Sequence, residues 1–211
     1  MRDYNSVGQR LAHGWRLAGR PEAAAEVIRE FIRPAVRAVP GAIAARLKPC
    51  SVLLPARLDG PDVVSRWVET EAALEITAAS EGIDAHDLAL ELLVCVGQAL
   101  WATTSAAERA AWLRLLRAEI DARVAGEIDE EALAEKRRLL SSPAAASSRR
   151  RLEAYARTAF AGTVAEYIHC LWHDVTAREG PRHLPARWLR ERLQMLARWF
   201  PPGRGYRLWA G

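Results

Sequence analysis

The chain is short of cysteine, lysine and long apolar runs, and each shortage closes off a class of protein. Its three cysteines, Cys50, Cys95 and Cys170, are too few and too scattered for a disulfide framework or a four-cysteine zinc site. The longest apolar run, Leu92 to Val96, falls far short of the roughly 18 residues that span a bilayer. Met1 to Asn5 lack the apolar stretch of a secretory signal. A reducing, cytoplasmic setting with no membrane association is the expectation. Only Lys48 and Lys136 are lysine among 30 basic side chains, an arginine preference that reflects coding bias rather than a ligand.

What is present suits a folded chain. Half of the 211 residues are hydrophobic and 27% are charged, enough to bury a core and far from a disordered composition. The net charge of +4 hides a partition. Residues 1–58 carry ten basic and four acidic groups, or +6; residues 59–135 carry five and 17, or −12; residues 136–211 carry 15 and five, or +10. A basic end could meet nucleic acid or an acidic partner. The plainer reading is that the acidic middle faces the basic ends within one fold.

The pattern predicts an α+β domain, predominantly α-helical, with five or six helices and a small β-sheet or hairpin near residues 50–80. Residues 1–20 read as an N-terminal arm and 21–211 as one α-rich domain. Pro21 suits the first turn of a helix that carries Val27, Ile28, Phe31 and Ile32 before Pro34 interrupts it. A short helix is expected from Pro40 to Leu47. Val52, Leu54, Ala56 and Leu58 alternate as in a strand, which Pro55 assigns to an edge. Asp59-Gly60-Pro61 makes the turn, Leu74, Ile76 and Ala78 mark a second strand, and 63–72 fits strand or helix. From Asp84 the period becomes helical. A capping box at Ser105 and Glu108 opens the next helix, which Gly126 ends, and Asp129 starts a third. Residues 141–148, rich in Ser and Ala, read as a linker. A long helix follows from about Arg149 to Arg178, stopped by Gly180-Pro181, and a last one starts at Pro185.

The long helix carries the chemistry. Phe160, Val164, Ile168, Leu171 and Val175 form one stripe at helical spacing. Opposite them, Leu152, Tyr155, Ala159, Gly162 and Thr163 lead to Glu166, His169, Cys170 and His173. Glu166, His169 and His173 stand at i, i+3 and i+7, and Glu-x-x-His is a spacing used in carboxylate-bridged metal sites. Two histidines four apart can chelate zinc or another divalent metal. A further ligand must come from elsewhere, with His86, Glu91, Glu69, Glu71 and Glu75 as candidates. The plainer reading makes Glu166, His169 and His173 a hydrogen-bonded network. Cys170 could act as a nucleophile beside either histidine, although a cysteine among Ile168 and Leu171 is more often a small buried hydrophobe.

Residues 94–101, Val-Cys-Val-Gly-Gln-Ala-Leu-Trp, resemble the active-site helix of zincin metallopeptidases, written His-Glu-x-Gly-His-Ala-Leu. Gly97, Ala99 and Leu100 match, while Val94 and Gln98 stand where the two zinc-binding histidines would be and Cys95 where the general-base glutamate would be. The order of a strand at 73–78, this helix, a helical insert and a helix over 152–175 also fits. The resemblance implies a zincin-like fold without its zinc site, with Glu166 in the region of the third ligand. Catalysis by the family's mechanism is then not expected.

Trp172, Trp188, Trp199 and Trp209 lie near the basic end, interleaved with Arg187, Arg190, Arg192, Arg198, Arg204 and Arg207. They could stack on single-stranded nucleic acid, but Trp188 and Trp199 share a face with Leu189 and Leu196, which marks core or interface. The leading expectation is therefore a non-catalytic, zincin-like domain acting through a protein partner or a homo-oligomer. A metal-dependent hydrolase centred on Glu166, His169 and His173 competes with it, and nucleic-acid binding is the least favoured.

Overall fold

Alternating burial builds the sheet. Cys50 and Val52 of β3 (Cys50–Leu53) and Leu74, Ile76 and Ala78 of β5 (Leu74–Ala78) are all buried and join one core. The two strands are parallel, and β4 (Ser65–Glu69) pairs antiparallel with β5 from Ser65 opposite Ala78 to Glu69 opposite Leu74. The computed structural model describes residues 8–60, 63–173, 180 and 182–208. Pro61 of the expected turn, Val175 and the helix end near Arg178, Pro181, Trp209 and Met1 to Asn5 lie outside them.

Residues 8–20 do not form a separate arm. β1 (Gln9–Arg10) and β2 (Arg16–Leu17) extend the sheet to the order β1-β2-β3-β5-β4, with β2 parallel to β3. Trp15 and Leu17 are driven into the core, each 1% exposed. β3 is consequently internal and not an edge. It ends before Pro55, which offers only its carbonyl, accepting from the Ser80 N–H at 2.9 Å, so the missing donor costs no ladder bond. Residues 63–72 resolve to strand β4 at the sheet's margin.

The first helix starts later than Pro21 suggests, as Glu22 is held by its N–H to the Leu54 carbonyl. It runs as α1 (Ala25–Val27), a π-turn (Ile28–Ile32) and α2 (Arg33–Ala38) without a break. Pro34 therefore does not interrupt it. A proline normally clashes with the carbonyl four residues back, and the wider π-turn just before it makes room. The expected helix at 40–47 is the short α3 (Gly41–Ala44).

Five longer helices complete a predominantly α-helical α+β fold: α4 (Ala85–Ala102), α5 (Ala106–Asp121), α6 (Glu130–Leu139), α8 (Arg149–Trp172) and α9 (Ala186–Trp199). Asp84, Ser105, Asp129 and Ser148 cap the first four, and Glu108 closes a full capping box, satisfying N–H groups that a helix start leaves unpaired. The segment read as a linker contains α7 (Pro143–Ala146), capped by Ser142. α5 ends at Asp121 rather than at Gly126.

α8 is covered on both sides, as its two stripes require. Trp112 of α5 donates to the Ala156 carbonyl at 2.9 Å, and Tyr167 donates to the Phe200 carbonyl at 2.6 Å. α4 is long and apolar enough to cross a membrane by length and composition, with a mean hydropathy of 1.2, and 56% of it is buried inside the domain. Its neighbours there are α8, β4, β5 and the π-turn. Ion pairs join the acidic middle to the basic ends: Arg46 to Glu108 at 2.7 Å, Lys48 to Glu69 at 3.0 Å and Arg182 to Glu130 at 2.7 Å. The Arg46 hydrogen bond, outweighing partial burial, holds the Glu108 carboxyl down to about 2.

α4 and α8 cross at Gly97, where an added Cβ would lie 2.6 Å from the Ala161 carbonyl oxygen and 2.7 Å from its Cα. Backbone atoms cannot rotate away. Gly97→Ala is expected to lower stability by roughly 1–3 kcal/mol in urea unfolding; an unchanged midpoint would show that the helices do not meet this closely.

Candidate functional site

The α4–α8 crossing opens into a cleft. Its other walls are residues 127–130, leading into α6, and 182–189, leading into α9. The two wall segments are stitched by a parallel bridge between Glu127 and His183, with the Leu184 N–H donating to the Glu127 carbonyl at 2.9 Å. Gly126 is needed here: a Cβ would sit 2.0 Å from the His183 carbonyl oxygen. The volume, about 460 Å³, falls within the range of small-ligand sites. Ile83, Leu90, Val94, Ile128, Leu184 and Leu189 supply apolar walls.

Of the candidate metal ligands read from the sequence, His86, Glu91, Glu166 and His169 line this cleft. His86 and His169 join through their Nε2 atoms at 2.7 Å, and Glu166 Oε2 lies 3.5 Å from His169 Nδ1. On the far side, His86 Nδ1 is 3.6 Å from Asp87 Oδ1. One imidazole must donate and the other accept, so the pair shares a single proton between its facing nitrogens. His173 departs from the expected line. α8 stops at Trp172 and His173 is extended, with φ −133° and ψ 143°, so the helical i+7 projection ends there. Its ring still lies 5.6 Å from that of His169 and 5.7 Å from that of His86, outside the cleft walls. Glu91 lines the cleft and accepts from Ser65 Oγ at 2.7 Å. Glu69, Glu71 and Glu75 do not line it.

Among the described residues, no group of three or more His, Cys, Asp or Glu is arranged to hold a metal ion. The His86–His169 contact shows why. Two nitrogens on one tetrahedral zinc stand about 3.3 Å apart, whereas these touch directly at 2.7 Å. Cys170 is equally unsuited to nucleophilic work. Burial, with Glu166 adding, pushes its thiol up to about 12, so it stays protonated. Burial likewise pushes Cys95 up to about 11.

Sequence reasoning missed the buried charge cluster that holds Glu127, one of the residues lining the cleft. Arg192 of α9, grouped above with the arginines that interleave the tryptophans of the basic end, is 0% exposed. It forks onto Glu119 of α5 at 2.8 and 2.5 Å and onto Glu127 at 2.9 and 2.8 Å. Lys136 of α6 donates to Glu127 at 3.2 Å and to the Gly126 carbonyl at 2.9 Å, and the Tyr155 hydroxyl donates to Glu127. Two cations thus meet two carboxylates in the interior. Burial opposes ionisation of Glu127, but the charges of Arg192 and Lys136 overcome it and hold the carboxyl down to about 2. The sequence signal was the helical spacing itself, since Arg192 stands beside Leu193 and one turn before Leu196, both buried.

Asp129 is the opposite case. It caps α6 through the Ala132 N–H at 2.7 Å, with its other oxygen against Gly162, where a Cβ would come within 2.0 Å of it. Burial pushes its carboxyl up to about 6, with Glu127 and Glu131 adding to the push against the capping bond.

Two outcomes follow from these charges. Arg192→Met leaves two buried carboxylates with only Lys136 and should cost about 3–5 kcal/mol in denaturant unfolding; a near-neutral effect would mean the cluster is hydrated. Asp129→Asn keeps a capping side chain and should stabilise the fold by about 1–2 kcal/mol above pH 6. The folded carboxyl titrates above its unfolded value, so its ionisation costs stability at high pH, and that cost disappears as pH falls from about 6 to about 4. Thermal unfolding of both proteins across this window checks the sign. Comparison with family models, curated proteins and solved structures finds no match for this chain.

Proposed function

We propose that this chain is a non-catalytic binding domain of zincin-like organisation, which receives an extended segment of a protein partner along β4. The observation that carries the reading is the outer side of that strand. β4 pairs with β5 on one side and ends the sheet on the other. Val63, Val64 and Val68 are 41%, 46% and 52% exposed and, with Leu140, are the exposed large hydrophobics among the described residues. Sheet margins carrying apolar side chains and open backbone groups are templates for strand addition. Ser65 of β4 bonds Glu91 of α4, which places the strand beside the cleft.

Support for the zincin-like part is the order of β5, α4, the helical insert and α8, with Glu166 of α8 facing Val94 and Glu91 of α4 across one cleft. Support for the non-catalytic part is chemical. Val94 has no ligand atom, and the Cys95 thiol is buried and protonated where a water-activating carboxylate would be needed. The competing reading, a metal-dependent hydrolase, draws on the three imidazoles of His86, His169 and His173 within 6 Å of one another.

The expected outcome is that peptides selected from a random library perturb backbone amide resonances of residues 63–69, and that Val68→Lys weakens them at least about tenfold without lowering the melting temperature. Perturbation confined to other surfaces would overturn strand addition. Stoichiometric metal in untagged protein, lost in a His169→Ala/His173→Ala variant, would overturn the non-catalytic reading.

A further inference from the structure

The charges around the cleft do not cancel within the protein. Glu127 is consumed by Arg192 and Lys136, and Glu130 is paired with Arg182 at 2.7 Å. Of the other cleft carboxylates, Glu91 accepts from Ser65 and Asp87 stands beside His86, which leaves Asp129 and Glu166 without a lysine or arginine paired to them among the described residues. They sit one helical turn apart along α8, Asp129 against Gly162 and Glu166 four residues on, a rise of about 6 Å. Apolar side chains line the same cleft, with Leu90 and Val94 on one wall and Leu184 and Leu189 on another.

A second, independent feature points to a ligand. His169 is 5% exposed, and its Nδ1 is buried with no hydrogen-bond partner among the described residues although the ring lines the cleft. A buried polar atom left unpaired costs about 1–3 kcal/mol. The Glu166–His169–His86–Asp87 row explains how a donor could relieve it. When the shared proton sits on His169 Nε2, His86 carries its own proton on Nδ1 toward Asp87, and His169 Nδ1 becomes an acceptor. Nδ1 and Glu166 Oε2, 3.5 Å apart, then form a two-acceptor notch. Two acceptors that close repel unless an N–H lies between them. Asp129, kept in a setting that disfavours its own charge, gains most from the same kind of neighbour.

We propose that this cleft binds a guanidinium or ammonium group carried on a short apolar stem, held between Asp129 and the Glu166–His169 notch. The stem lies along the apolar walls and the N–H groups satisfy Nδ1 of His169 and the two carboxylates. The cation has two sources of the same chemistry, a free amine or an arginine or lysine side chain of a polypeptide. The site stands whether or not a strand adds to β4.

Titration calorimetry on the full chain tests it with three probes: agmatine, the blocked peptide acetyl-Val-Arg-Val-amide, and zinc alone. Agmatine or the peptide should bind one to one. Asp129→Asn and Glu166→Gln should each weaken binding at least about tenfold, with both variants shown to be folded by circular dichroism. Val68→Lys should leave agmatine affinity unchanged, which separates this site from strand addition. Agmatine binding identifies a free amine as sufficient, and peptide binding alone identifies a side chain as the source. No heat from either cation up to about 10 mM, binding indifferent to both carboxylate variants, or stoichiometric binding of zinc with neither cation, would overturn the proposal.

Discussion

The fold hangs on one buried guanidinium. Arg192 can be taken out of water only if its donors and charge are matched, because an unpaired ion in a low-dielectric interior costs far more than any single contact returns. The match needs α5 for Glu119, the strand-like turn before α6 for Glu127 and α8 for the Tyr155 hydroxyl oxygen, while Lys136 of α6 adds a second cation on Glu127. Three segments are fixed relative to α9 by one side chain, and α6 joins them through Glu127. Oil-like packing would tolerate small slides between these helices; a forked guanidinium on two carboxylates does not.

The cleft follows from that arrangement. Glu127 belongs to the buried cluster through its side chain and holds Leu184 through its backbone, so the segment that bonds Arg192 also forms a cleft wall. Gly97 and Gly162 let α4 and the 127–130 segment approach α8 closely at two points. Beyond those points α4 carries His86, whose ring meets His169 of α8 instead of an apolar neighbour. The site is therefore a gap between closely joined elements, lined by residues whose backbone positions are set elsewhere.

Much of this could be read from the residues in order. Capping side chains at Asp84, Ser105 and Asp129 announce helix starts because few other residue types satisfy the unpaired N–H groups. The two stripes of α8 declare a helix covered on both faces, and the segmental charges anticipate the pairs that join the middle to the ends. The misses have physical causes. Pro34 looks like a helix breaker because a π-turn cannot be foreseen from composition. The first strands are two residues each, too short for alternation to register, and they are held by a sheet whose partner lies over thirty residues away. Arg192 resembles the surface arginines around it, since burial of a cation depends on carboxylates 65 and 73 positions distant. The convergence of His86 with His169 spans 83 positions and no local spacing reports it.

Those same separations bear on the order of folding. The sheet hairpin of β4 and β5 and the single turns of helix form from near neighbours, at small cost in chain entropy. The Arg192 cluster closes loops of 65 and 73 residues and gains nothing until every partner is in place, since a half-assembled cluster holds dehydrated charge without compensation. Any opening that separates α9 from α5 must therefore part Arg192, in the middle of α9, from its carboxylates before water can replace them.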